Sequence, residues 1–273
     1  MIRIPRIGGT AVFLAAWMMP WRPAFKVRAT GSQLKFFVHH RDLIGRHIAK
    51  YGTHEPVPTR WLENYLTHAP KGIFIDVGAN LGWHAVHAAR HPSVEMVVAF
   101  EPDPFNAGLL DRNLIENGVE NVIVSNAAVG AQSGNIRLHR YKSSNYGRYS
   151  LLTDYGYGSR MVPIVNLDEA LHCLGIADRL VNVLKIDVEG YEPAVIAGAA
   201  KTLARTAAVI LEYSPDLSSA GGLSGRGMID RLLGVGFEPF GLDKEGRIVP
   251  VAAEKLRAFK GQMDLVMMTS AGR

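Results

Sequence analysis

Cysteine is nearly absent: Cys173 is the one thiol in 273 residues. A single thiol excludes an intrachain disulfide and any cysteine-rich metal centre, and it suits a reducing compartment. An apolar run long enough to cross a bilayer is missing near the start, since the run at 11–19 is too short. Arg3 and Arg6 precede that run in the order of a secretory signal. No small-x-small cleavage site follows before Arg22, so the expectation is an interfacial or core-capping helix. Acids are scarce in residues 1–71, where Asp42, Glu55 and Glu63 stand against 11 Lys and Arg, a net of +8. The remaining 202 residues carry 22 acids against 19 basic residues. A groove for long nucleic acid would place its positive charge around the catalytic core, so the mildly acidic core disfavours a nucleic-acid partner. The basic extension suggests instead a membrane surface, an anionic substrate or a partner, with a solvated face as the plain alternative. A cytoplasmic protein, with peripheral membrane contact through that extension as an option, is expected. Oligomeric state is not legible.

What is present is an ordinary globular composition, 48% hydrophobic and 20% charged, enough for one large α/β domain with an appendage. Residues 1–70 form the basic extension, packed on or next to a core spanning 71–273. From Lys71 onward buried strands alternate with helices. Strands are expected at 73–77, 96–100, 122–124, 181–188, 208–213, 237–242 and 263–269, and helices at 106–116 and 193–205. Residues 130–166, rich in Gly, Ser and Tyr, read as hairpins or an active-site flap. These units predict a Rossmann-like α/β fold: a mostly parallel seven-stranded sheet, one antiparallel edge strand and helices on both faces.

The chemistry begins at Asp76-Val-Gly78-Ala-Asn80-Leu-Gly82, between a buried strand and a helix. Two glycines four apart permit a tight turn and close backbone approach to a ligand, but they do not make the G-x-G-x-x-G of dinucleotide sites. An acid at the strand's carboxyl end repels a pyrophosphate and suits a cofactor bearing sulfonium and ammonium charges. Glu101 ends the next strand, where a carboxylate can accept hydrogen bonds from both ribose hydroxyls. In Lys185-Ile-Asp187-Val-Glu189-Gly-Tyr-Glu192, alternation turns Lys185, Asp187 and Glu189 to one side. Glu212 adds a carboxylate to the same rim.

These segments resemble the FkbM family of methyltransferases. FIDVGANLGWHA, VVAFEPDP, NVIVSNAAVG, VLKIDVEGYEPAVIAGA and VILEYSP occur in the family's order over roughly 71–215, with Gly52-Thr-His-Glu-Pro upstream. Trp83-His84 departs from the aromatic-then-small pair of that turn. The resemblance implies S-adenosylmethionine as cofactor and methyl transfer to a hydroxyl of a sugar, lipid or secondary metabolite. It implies a cofactor loop of Asp76, Gly78, Asn80 and Gly82, with Glu101 on the ribose. Asn126 and Ala127 would flank the adenine, and Asp187 would lie near the methionine end or the reacting centre.

A hydroxyl acceptor must lose its proton. The candidate bases are Asp187 and Glu189, then His84 and Glu192, the last equally placed to cap the helix that starts at Pro193. His84, His87 and His91 fall at helical spacing; an exposed helix face explains them better than a metal site, and no metal is expected. Alternatives carried alongside are an RNA ribose methyltransferase and a non-catalytic scaffold of the same fold at a membrane.

Overall fold

The computed structural model describes residues 24–39, 42–142 and 145–272. The helix expected near residues 11–19 lies outside the described residues. The chain enters through a hairpin, β1 (Ala24–Arg28) and β2 (Lys35–His39), followed by α1 (Leu43–Tyr51) and α2 (Pro56–His68). Then come β3 (Gly72–Val77), α3 (Trp83–Ala89), β4 (Val94–Phe100), α4 (Pro104–Glu116) and β5 (Val122–Ser125). β6 (Ala128–Gly130), β7 (Gly134–Lys142), β8 (Asn145–Ser150) and β9 (Ser159–Asn166) follow. The second half holds α5 (Leu167–Cys173), β10 (Val181–Ile186), α6 (Glu192–Ala197), α7 (Ala200–Leu203), β11 (Thr206–Tyr213), α8 (Pro215–Ala220) and α9 (Gly225–Gly234). It closes with β12 (Glu238–Leu242), β13 (Ile248–Pro250), α10 (Ala253–Ala258) and β14 (Met263–Met268).

The expected Rossmann-like α/β arrangement is present, with two differences. Among the described residues the main sheet has eight strands, in the order β13-β12-β14-β11-β10-β3-β4-β5. β11, β10, β3, β4 and β5 are parallel neighbours. The antiparallel strand β14 lies inside the sheet, between β11 and β12, rather than at its edge. The extra strand β13 pairs with β12 across a tight turn in which Asp243 Oδ1 accepts from the Glu245 and Arg247 amides. Antiparallel neighbours tolerate so short a link, whereas parallel ones need a crossover.

The central strands are buried on both faces because side chains alternate between two cores. Phe74, Val97 and Ala99 pack on one side, among Phe36, Trp61 and Leu110. Ile73, Ile75 and Val98 pack on the other, with Leu171, Val195 and Ile229. Each of the Val, Leu, Ile and Phe side chains among them contributes about 1.5–3 kcal/mol on full burial. The segment before β3 therefore shares a core with the sheet. The 130–166 stretch forms a four-stranded sheet, β6-β9-β7-β8. From β3 the chain proceeds to β4 on one side and later returns through β10 on the other. The gap between the carboxyl ends of β3 and β10 is the switch point at which open α/β sheets bind ligands.

Candidate active site

The turn after β3 is built around close backbone approach. Gly78 has φ 82°, and a Cβ there would stand 2.0 Å from the Asp187 carbonyl oxygen, so only glycine lets the ends of β3 and β10 meet. The Gly78 and Ala79 amides donate to the Phe100 carbonyl, and the Asp187 amide donates to Val77. Asn80, at φ 52°, accepts from the Leu81 amide and donates its own amide to Glu101 Oε2 at 2.9 Å. Glu101 Oε1 accepts from the Asp103 amide, also at 2.9 Å. Both carboxylate oxygens are thus aimed by backbone, and burial raises Glu101 to about 7.

These elements border a cleft of about 870 Å³, counted to its open mouth. Of the residues singled out in the sequence, Gly78, Asn80, His84, Glu101, Ala127, Asp187 and Glu189 line it. Asp76, Gly82 and Asn126 stand elsewhere. Asp76 lies 1% exposed beneath Lys185, whose Nζ is 3.4 Å from Asp76 Oδ1 and 3.5 Å from Asp187 Oδ2. Burial alone would lower the Lys185 pKa, but Asp76, Asp187 and Glu55 raise it. Gly82 shapes the turn, its α-carbon facing Leu110, and the Asn126 side chain is exposed.

Alternation does not extend to Glu189, because β10 ends at Ile186 and Glu189 bends back with φ 55°. Its Oε2 meets Arg148 Nη2 at 2.6 Å, which ties the β6–β9 sheet to the cleft; Leu138 and Tyr149 of that sheet line the wall. Glu189 is raised to about 7 by burial, then by Asp187. Glu192 is consumed structurally, Oε1 accepting from the Val188 and Gly190 amides. The exposed histidine face is corrected: His84 is buried and His87 half-buried, because α2 and the β1–β2 hairpin cover α3. His87 pairs with Glu63 and packs on Trp83.

A second, small cavity of about 20 Å³ adjoins the first, and Glu55, His84, Lys185 and Asp187 line both. Glu212 and Asp264, directly opposite across β11 and β14, complete it. Burial, with Asp187 second, raises Glu55 to about 8, Glu212 to about 9 and Asp264 to about 6. Sequence reading missed Glu55 and Asp264 as site residues. The available signals were a carboxylate before a helix-opening proline, and an acid at the head of an apolar strand.

The lining fits S-adenosylmethionine. Glu55, Glu101, Asp187 and Glu189 face Lys185 as the one Lys or Arg among the described lining residues. Such a wall suits a cationic ligand and repels a pyrophosphate. Ala127, Val129 and Leu138 offer an apolar slot for a flat base, and Glu101 presents oxygens for a ribose.

Residues 76–239 match the model of the methyltransferase FkbM domain. Hexuronic acid methyltransferase AglP of Haloferax volcanii is 29% identical over 140 residues, 51% of this chain and 55% of that protein. The chain therefore spans about half the length of the curated relative it matches. Among solved structures, the precorrin-6y C5,15-methyltransferase of Geobacter metallireducens superposes with TM-score 0.42 at 13% identity, over 80% of this chain and 93% of that one. TYW2 of M. jannaschii, in complex with AdoMet, gives TM-score 0.43 at 11% identity, over 90% and 84%.

Proposed function

The chain belongs to the FkbM methyltransferase family, and from that premise we propose that it methylates a hydroxyl oxygen of a sugar or similarly hydroxylated metabolite. It is an S-adenosylmethionine-dependent methyltransferase with a Rossmann-like fold. When bound, S-adenosylmethionine supplies a methyl group already activated by its sulfonium. In this reading Glu101 and the Gly78–Asn80 turn hold the ribose end, Ala127 borders the adenine, and Asp187 faces the methionine end. Asp76 acts at one remove, by holding Lys185.

The observation that carries the hydroxyl reading is the junction of the two cavities, where Glu55 and Asp187 stand among groups lining both spaces. A hydroxyl becomes a competent nucleophile as its proton leaves, and carboxylates beside the cofactor cleft can take that proton. The same acids disfavour a polyanionic acceptor such as a phosphate backbone by Coulomb repulsion at short range. The relative named for hexuronic acid supports a sugar as acceptor class. Incubating the protein with methyl-labelled S-adenosylmethionine and a panel of methyl glycosides, alongside hexuronates and an RNA hairpin, tests this. Label is expected in a methyl ether of a neutral glycoside; label only in RNA or in a methyl ester overturns it.

A further inference from the structure

Resting on the hydroxyl-methylation reading, we propose that Glu55 is the catalytic base, taking the acceptor's proton from its place between the two cavities, with His54 and His84 beside its carboxylate. In the step, the acceptor O–H bond breaks and its proton passes to Glu55. The oxygen bonds to the methyl carbon, and the carbon–sulfur pair leaves on sulfur as a neutral thioether.

Backbone strain marks the residue first. Among the described residues three that are not glycine have positive φ: Glu55 at 41°, Asn80 at 52° and Glu189 at 55°. All three line the cofactor cleft. Asparagine visits the left-handed region readily, whereas glutamate does not. Glu55 is still less at ease there because it precedes Pro56, and pre-proline residues are pushed towards extended backbone. Such conformations cost of order 1–3 kcal/mol and cluster where function holds them.

Local structure does not account for the side chain. Glu55 is the N-cap of α2, yet its carboxylate makes no capping hydrogen bond; its carbonyl alone accepts, from the Thr59 amide. The carboxylate instead faces His54 Nε2 at 3.4 Å and His84 Nε2 at 3.6 Å. The other carboxylates of the cleft are already engaged. Asp187 meets Lys185, Glu189 meets Arg148, and Glu101 accepts from two backbone amides.

His84 is fixed as a neutral neighbour of the Glu55 carboxylate. The Thr59 hydroxyl donates to the His54 carbonyl at 3.1 Å and accepts from Trp83 Nε1 at 2.9 Å. With that proton committed, the 3.3 Å contact between Thr59 Oγ1 and His84 Nε2 places the hydrogen on Nε2. Burial holds the His84 pKa well below the ordinary value, so the ring is neutral and its Nε2–H goes to Thr59 Oγ1, with the Glu55 carboxylate 3.6 Å from the same nitrogen. Glu55 itself is raised to about 8 by burial and then Asp187, against Lys185; Asp264 and Asp76 add to the rise, and Glu212 faces the same space. A base in this range holds a proton firmly enough to take one from a polarised hydroxyl near neutral pH.

The test uses the full chain, with S-adenosylhomocysteine and the methyl glycoside panel as probes, and compares wild type with Glu55→Gln and Glu55→Gly. Three readouts are taken: S-adenosylhomocysteine affinity by calorimetry, melting temperature, and kcat against pH. Both variants should still bind S-adenosylhomocysteine saturably. Glu55→Gly, relieved of strain, should melt no lower than wild type. Turnover should fall about a hundredfold or more, the span of general-base catalysis, and the wild-type limb near pH 8 should vanish. Variants turning over within about threefold of wild type, or keeping that limb, overturn the proposal. A wild type that binds S-adenosylhomocysteine yet methylates no glycoside sinks the hydroxyl reading itself, and the assignment of Glu55 with it.

Discussion

Lys185 Nζ stands 3.4 Å from Asp76 Oδ1 at the centre of the sheet, with both side chains at least nine-tenths buried. The two residues are register partners on adjacent parallel strands, β10 and β3. Their pairing lets two charges survive inside otherwise apolar strands, and it places the Lys185 ammonium under Asp187 at the cleft floor.

Removing one partner strands the other. Lys185→Met leaves Asp76 buried without its cation, and unfolding free energy should fall by about 3–5 kcal/mol. The double variant Lys185→Met, Asp76→Asn should recover most of that loss, since no bare charge remains. Urea titration of the single and double variants checks this; additive losses would show that the pair is not a unit.

That pairing also marks where sequence was informative. β3, β4, β10 and β11 were legible because each is an apolar run closed by a charged residue, the pattern of a strand buried on both faces. Which charge met which was not legible: Asp76 reads from sequence as a cofactor contact, and three-dimensional register made it the partner of Lys185 instead. The β1–β2 hairpin was missed because distant bonds pin it. The Phe37 amide donates to Asn113 Oδ1 and the Lys35 amide to Asn117 Oδ1, each across more than 70 residues. The expected single helix at 193–205 divides into α6 and α7 around Gly198, where a Cβ would meet the Gly130 carbonyl at 2.1 Å. No local pattern carries that contact. The same holds for Glu55 and Asp264, which join the site only when α2 packs on α3 and β14 pairs with β11.

Crowded carboxylates set the pH response of the free protein. Glu101, Glu189 and Glu192 are raised to about 7, Glu55 to about 8 and Glu212 to about 9, burial being the first cause in each. The unfolded chain sheds these protons near the ordinary 4.5, so between there and about pH 9 the folded state binds more protons. Stability should therefore fall as pH rises through that window. Melting temperature measured from pH 5 to 9.5 should decline, and Glu212→Gln should flatten the decline and raise the melting point at its alkaline end. A melting temperature that climbs over this range would contradict the burial of these groups.

The account rests on S-adenosylmethionine chemistry in the cleft between β3 and β10, and calorimetric titration with S-adenosylhomocysteine tests it most directly, with NAD as control. The folded wild type should bind S-adenosylhomocysteine saturably at one site and should not bind NAD. Glu101→Ala, which removes an acceptor aimed by the Asn80 and Asp103 amides, should weaken binding by about tenfold or more, as expected for hydrogen bonds to a charged group. Absence of binding to the folded wild type, or saturable binding of NAD instead, would contradict the account.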